Sequence, residues 1–345
     1  MAEHTGVGPD DDPFYQTIEV DTEVTGDDGT YEDELSSCTE SVTSIRDYRQ
    51  EHGRRYHSYH DGRYLLPNDD AEAERLDMMH EMMLMMMGQR LFLAPITDNP
   101  QQVLDLGTGT GIWALDFADR FPDAESGLST PGVFHVPDTV TDNADMISSG
   151  PPNVNFIVDD MEDEWAFPEQ QKFDFIHARF LALGIKDFPR LLKQCYNNTV
   201  PGGWVEFQDW DLNMYSQDGS TNGTSIEQYY NIGIRAYEKT GHIVSPGPFL
   251  EQWFQEAGFT EIHVHKYLLP MGPWPKEEHL KSLGMWNLLQ ASTGFEASAL
   301  AVLTRYENWN PSDVAHLAER AKLDARDRNI HALFDFYVVY GRRPL

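Results

Sequence analysis

VLDLGTGTGIW, residues 103–113, sets three glycines and an acid where a short apolar run gives way to a helical pattern. Val103, Leu104 and Leu106 have the composition of a buried strand, and GIWALDFADRF (111–121) follows with helical period, so the glycines fall in a strand-to-helix turn. In a doubly wound α/β sheet such a turn lies at the carboxyl ends of the strands, where ligands bind. Glycine at 107, 109 and 111 lets the backbone turn sharply and come close to a ligand. A dinucleotide fingerprint, G-x-G-x-x-G, needs glycine at 112, and Ile112 stands there; the spacing is G-x-G-x-G. Asp105, two residues ahead of Gly107, is poorly placed beside a pyrophosphate and well placed beside a cation. S-adenosylmethionine carries an ammonium and a sulfonium and no phosphate. The pattern D-x-G-x-G-x-G, with Thr108 inside the turn, therefore predicts a methyl-donor site rather than a nicotinamide site.

Downstream, NVNFIVDDMEDEWAF (153–167) reads as a strand over 154–158 followed by acids, and KFDFIHARF (172–180) as a strand over 173–177. If the sheet is parallel, both end at the same edge. Asp160 would then accept from the exocyclic amine of an adenine, and Met161 would pack on the ring. The competing reading is that Asp159 and Asp160 only cap the next turn. Methyl transfer is an in-line displacement at a sulfonium, so positioning and exclusion of water carry most of the work, and a base is needed only where the acceptor holds its proton. His177 follows its strand close to where an acceptor would sit, and an imidazole of pKa about 6.5 suits proton removal. Alternatively it only packs or hydrogen-bonds. Arg179 is placed to orient an acidic acceptor or the donor's carboxylate, with Glu206 and Asp209 as weaker candidates near the end of the next strand. His80, His242, His263 and His265 show no metal-ligand spacing, and no metal is expected.

The same strand-helix alternation continues. DFPRLLKQCYNNTVPGGWVEFQDWD (187–211) reads as a helix broken at Pro201-Gly202-Gly203 and then a strand. Residues 225–242 and 247–259 read as helices, TEIHVHKYLL (260–269) as a strand, and 273–328 as mostly helical and able to form a lid. IHALFDFYVVYGRRP (330–344) reads as a late strand that inserts at or near an edge of the sheet.

Residues 1–45 hold thirteen acids and no Lys or Arg, which predicts a disordered acidic arm: a solubilising tail, or a docking segment for a basic partner. Residues 46–100 form an aromatic and helical segment that would fold over the site; Tyr48, Tyr56, Tyr59 and Tyr64 punctuate its front. Its run 70–94 reads as a helix of several turns with Gly88 as its first breaker, and the methionines fall on more than one face, so packing on two sides is expected. A net charge of -32 argues against a simple electrostatic nucleic-acid binder. No apolar run of about 18 residues and no basic-then-apolar leader appear, and Cys38 and Cys195 lack metal or redox spacing. The expectation is a soluble intracellular chain, cytoplasmic or nuclear, with no membrane partner.

RRYHSYHDGRYLLPND (54–69), VLDLGTGTGIWALDFADRFPDAE (103–125), FDFIHAR (173–179), PGGWVEFQD (201–209) and FYVVYGRRP (336–344) together resemble the fungal LaeA-like methyltransferases, which include regulators of secondary metabolism and pathway tailoring enzymes. The resemblance runs from about residue 46 to the end. It implies a class I, seven-stranded S-adenosylmethionine fold whose last strand is antiparallel. It also implies that Asp105, Gly107, Gly109 and Gly111 surround the methionine part of the cofactor, that Asp160 lies near the adenine, and that Tyr56, Tyr59 and Tyr64 belong to the segment covering it. The implied function is methylation of a small-molecule metabolite at oxygen or nitrogen, with 213–255 and 273–328 as helical insertions in the domain 101–345 that shape the acceptor pocket. The alternative is a regulator acting through protein partners, its cofactor site weakened or idle.

One stretch departs from the pattern. In SGLSTPGVFHVPDTVTDNADMISSGPPNVNF (126–156) no strand ends in an acid about twenty residues past the glycine turn, where the ribose hydroxyls would be held. Val133, Phe134 and Val136 are the only apolar cluster, and Asp138 lies too far on. The expectation is a ribose site built differently, a missing second strand that leaves a gap in the sheet, or a gene-model artefact over 126–149.

Overall fold

The computed structural model describes residues 16–22, 49–56, 64–122, 132–136, 153–158, 160–168 and 170–345. In chain order the elements are the hairpin β1 (Arg49–Glu51) and β2 (Arg54–Tyr56), α1 (Asp70–Met86), β3 (Val103–Leu106), α2 (Ile112–Arg120), β4 (Gly132–Val136), β5 (Val154–Val158) and β6 (Phe173–Arg179). There follow α3 (Phe188–Asn198), β7 (Thr199–Tyr215), α4 (Ser225–Lys239), α5 (Leu250–Ala257), β8 (Thr260–Pro270), α6 (Glu278–Tyr306), α7 (Pro311–Arg326) and β9 (Leu333–Arg342).

Seven strands form one sheet in the order β5-β4-β3-β6-β7-β9-β8. The first five run parallel, and β9 is antiparallel to both of its neighbours, one strand in from the edge. Seven strands with the last one antiparallel is what the resemblance implies. The gap that loss of a second strand would leave is not there: Gly132–Val136 pairs with β3 (Leu104↔Val133, Asp105↔Phe134) and with β5. The apolar cluster of the anomalous stretch thus joins the ladder, because a parallel sheet covered on both faces selects for such runs. The residues that follow it, with Asp138, lie outside the described ones.

Strand alternation explains which side chain meets which helix. In β6, Ile176 and Ala178 join Phe188, Leu191 and Leu192 of α3 and Phe254 of α5 in one core, while Phe175 joins Trp113 and Phe117 of α2 in another. Each Leu, Ile or Phe among them contributes about 1.5–3 kcal/mol through burial. Gly203 is required where β7 approaches β6, since a Cβ there would stand 2.9 Å from the Asp174 carbonyl oxygen. α1 is capped by Asp69, whose carboxylate accepts from the Glu72 amide, and ends at Met87 just before Gly88 (φ 63°). Its Met79, Met82, Met83 and Met86 enter the core shared with α4, α6 and α7, and its Leu84 joins the α2 core, so the helix is packed on two sides.

The acidic arm is not wholly without structure. Residues 16–22 lie along 274–281: Val20 bridges Pro275, Ile18 is buried with Trp274 and Leu333, and Asp21 and Glu19 pair with Lys281 and Lys276. Local composition predicts disorder there; the contact that reverses it comes from a surface more than 250 residues away. Among the described residues no helix is long and apolar enough to cross a membrane.

Candidate functional site

The glycine turn between β3 and α2 has Gly107, Gly109 and Gly111 all in the left-handed region, at φ 68°, 59° and 82°. Side chains have no room there as well: a Cβ on Gly107 would stand 2.8 Å from Leu181 Cδ2, and one on Gly109 3.3 Å from Leu76 Cδ1. Gly111 is the N-cap of α2 and offers no side-chain cap, so the first amides of the helix are left for another acceptor. Above the turn is a cavity of about 100 Å³ whose walls include Tyr64, Gly107, Thr108, Gly109, Met161 and Arg179.

Beneath the turn, Asp105 and His177 are register partners on β3 and β6 and share a face. His177 Nδ1 donates to Asp105 Oδ1 at 2.7 Å, and the imidazole stacks on Trp113 with centroids 3.8 Å apart and planes 2° from parallel. Burial pushes the His177 pKa down, so the ring is a neutral donor. This corrects its expected role as a base at the acceptor. His177 is 0% exposed and does not line the cavity: it lies beneath the turn, covered by Trp113 of α2 and hydrogen-bonded to Asp105. Asp105 Oδ2 and Thr108 Oγ1 are buried and have no hydrogen-bond partner among the described residues; Thr108 is a wall of the cavity, whereas Asp105 lies beneath the turn and is not. An unpaired carboxylate oxygen and an unpaired hydroxyl beside uncapped helix amides fit a ligand that carries both an ammonium and a carboxylate.

Arg179, 9% exposed, reaches the same cavity. Its Nη2 donates to His80 Nδ1 at 2.8 Å, and His80 Nε2 faces Asp116 Oδ2 at 2.9 Å. Burial and the neighbouring guanidinium push the His80 pKa down to about 4. The imidazole is therefore neutral, accepting from Arg179 and donating to Asp116. Burial lowers the Arg179 pKa to about 10, which leaves it a cation at neutral pH, and it makes no ion pair with a carboxylate among the described residues. Thr110 Oγ1 donates to Asp77 Oδ1 at 2.6 Å and ties α1 to the turn.

The other expected site residues divide. Met161 and Tyr64 line the cavity. Asp160 does not: its Oδ1 accepts from the Glu162 amide at 2.9 Å and its carbonyl from the Asp163 amide, the capping alternative. Tyr56 is elsewhere, buried under Arg305 (4.8 Å to the ring centroid), and burial pushes its pKa up to about 12. Tyr59 and Asp159 lie outside the described residues.

A second cavity, of about 160 Å³, adjoins the first and shares Phe180 with it. Its walls come from α1 (Glu72, Arg75, Met79), α4 (Tyr229, Tyr230), α6 (Gln290, Phe295) and β7 (Trp210). The partition between the cavities is the segment 180–184, where Phe180 (φ 57°) and Leu183 (φ 68°) hold a conformation that non-glycine residues rarely adopt. Asp209 holds it there: Oδ2 accepts from the Leu181 and Ala182 amides at 2.8 and 3.0 Å, while Oδ1 accepts from the Trp210 amide. Burial pushes the Asp209 pKa up to about 7. Glu206 is also buried, its pKa up to about 7, and accepts from the Leu93 and Ala94 amides at 2.8 and 2.6 Å. Neither acid lines either of these two cavities, and both accept from backbone amides, so they act here as backbone supports. Reading the sequence misses the 180–184 partition and the Glu72–Arg75 pair. The partition leaves no local signal, whereas the pair's i,i+3 spacing is visible in the sequence.

Comparison with known proteins agrees with this geometry. Residues 78–264 match the family model described as a methyltransferase domain. The chain is 41% identical over 310 residues to the methyltransferase pytC of Aspergillus terreus, covering 90% of this chain and 92% of that one. It is 31% identical to the probable methyltransferase tdiE of Emericella nidulans (80% and 83% covered) and 32% identical to the secondary metabolism regulator laeA of Aspergillus fumigatus (86% and 77% covered). Among solved structures, the phosphoethanolamine N-methyltransferase 2 of Haemonchus contortus aligns with 16% identity and a TM-score of 0.43, over 79% of this chain and 52% of its own, too distant to bear on function.

Proposed function

The chain belongs to the fungal LaeA-like family of S-adenosylmethionine-dependent methyltransferases, and from that premise we propose that it methylates a small-molecule metabolite at oxygen or nitrogen. The observation that carries this reading is the aromatic-lined cavity that meets the glycine-turn cavity at Phe180. The acceptor's nucleophilic atom and the donor's methyl group would meet where the two cavities join beside Phe180, within a protein interior. S-adenosylmethionine, when bound, supplies a methyl group on a cationic sulfur. The chain's own residues would bind and orient it. Asp105, held by His177, would take the ammonium through its free oxygen. Arg179, held by His80, would take the carboxylate, with the Thr108 hydroxyl and the Gly109 amide as further donors. Met161 and Ile185 would pack the adenine, and Tyr64, from the 46–100 segment, would cover the site and exclude water. Fixing both reactants at the junction beside Phe180 converts encounter into alignment, which is the main service an in-line displacement needs.

Calorimetric titration of S-adenosylmethionine into the full chain tests the reading, with Asp105→Ala as control. Micromolar binding that is lost in the variant is the expected result; no binding to the unmodified chain would sink it. A regulator that works mainly through protein partners, which similarity to the laeA proteins also suggests, would tolerate that loss.

A further inference from the structure

Among the groups that the cofactor reading leaves unused, the polar pair in the second cavity stands out. Arg75 forms a bidentate contact with Glu72, Nε to Oε2 at 2.8 Å and Nη2 to Oε1 at 2.6 Å. Both side chains are withdrawn from solvent, at 13% and 4% exposure. Arg75 Nη1 also donates to Gln290 Oε1 at 3.0 Å, and Gln290 Nε2 donates to Asn287 Oδ1, which fixes the fork from the far side. The pair is neutral as a unit. The remaining wall is dominated by rings: Phe180, Trp210, Tyr229, Tyr230, Phe295 and Phe334. The hydroxyls of Tyr229 and Tyr237 are spent on the Phe295 and Ser298 carbonyls of α6, so they add no free charge or donor.

We propose that this cavity selects an uncharged aromatic acceptor carrying a hydroxyl or N–H, with Glu72 receiving that hydrogen bond and the Glu72–Arg75 pair excluding charged analogues. The inference rests on the methyltransferase reading and deepens it. Three physical points support it. An enclosed apolar cavity of about 150 Å³ is known to hold one benzene ring, and this one measures about 160 Å³. The rings offer faces and edges for offset stacking. A carboxylate has about four lone-pair sites, of which Arg75 occupies one on each oxygen, leaving Glu72 able to accept from a ligand. A carboxylate or ammonium on the ligand would have to be desolvated with no free counter-charge, because each member of the pair already neutralises the other.

The test uses one ring in three forms, phenol, benzene and benzoate, titrated calorimetrically at neutral pH into the full chain saturated with S-adenosylhomocysteine. The expected order is phenol tightest, benzene weaker, and benzoate at least about tenfold weaker than phenol. Glu72→Gln leaves the Arg75 cation unpaired and should reverse the preference, so that benzoate binds about tenfold better than to the unmodified chain. Should that variant fail to melt cooperatively, Arg75→Gln leaves only the acid and should keep benzoate excluded. Binding of benzoate to the unmodified chain as tight as that of phenol overturns the inference. So does the absence of binding by every probe while S-adenosylhomocysteine still binds, an outcome that leaves the methyltransferase reading intact. Failure of S-adenosylhomocysteine itself to bind removes that reading and this inference with it.

Discussion

Asp209→Asn should make the stability of this protein less sensitive to pH, and the size of the effect follows from where the carboxylate sits. Asp209 is fully buried, and the cost of taking its charge out of water outweighs the three backbone amides that favour the ionised form, so its pKa rises from the ordinary 3.8 to about 7. A folded-state pKa above the unfolded one means that the native protein binds more protons across the interval between them. The contribution to stability is then full below the unfolded value and is lost as pH rises through about 7. At about 1.4 kcal/mol per pKa unit, the whole interval is worth about 4 kcal/mol. The chain's pI near 4.5 makes the acid end impractical. Between about pH 5.5 and about pH 8 the expected change is about 2 kcal/mol. The carboxamide of the variant cannot ionise, so its curve lacks this slope, while Glu206, which also has a pKa of about 7, is present in both proteins and cancels in the difference. Urea unfolding of both proteins at four pH values across that range measures it. The variant should gain on the unmodified chain by about 2 kcal/mol as pH rises. Parallel curves would refute the reasoning, showing that the amides of Leu181, Ala182 and Trp210 keep Asp209 ionised throughout.

Three further outcomes are expected. Gly107→Ala places a Cβ at φ 68° and 2.8 Å from Leu181 Cδ2; it should cost about 1–2 kcal/mol of stability in a thermal melt and weaken S-adenosylmethionine binding at least about tenfold, and unchanged affinity would show that the turn does not face the cofactor. His177→Ala removes a ring stacked on Trp113 and strands Asp105; a loss of about 2–4 kcal/mol is expected, with residual methyl transfer keeping its pH profile, whereas loss of the acidic limb would restore His177 as the base. Deleting residues 1–22 uncovers Trp274 and removes Ile18, which is 7% exposed; the full chain should unfold at a higher temperature, reflecting up to about 1.5–3 kcal/mol of burial, and identical melting would argue against the docked segment.

What was legible in the amino-acid order alone were features carried within a few neighbouring residues. Three glycines at alternate positions after VLDL specify a left-handed turn because only glycine enters that region without steric cost, and all three have positive φ. Period distinguished the strands from the helices, and Asp105 with that turn identified the kind of ligand. The second strand was the exception: Gly132–Val136 lacks the acid that would have marked it, and its place between β3 and β5 shows only in the pairing.

Tertiary structure decided everything that depends on which faces are covered and which distant groups meet. His177 looked available at the end of a strand, yet register sets it against Asp105 and α2 covers it with Trp113. Arg179 is held by a histidine 99 positions earlier, and the arm residue Asp21 by a lysine 260 positions later. The segment 180–184 takes its unfavourable conformation only because Asp209, from another strand, accepts its amides. A turn is specified by sterics within a few bonds. A cavity, a buried acid near neutrality and a docked arm arise where the chain's folding removes water from groups that its order never places side by side.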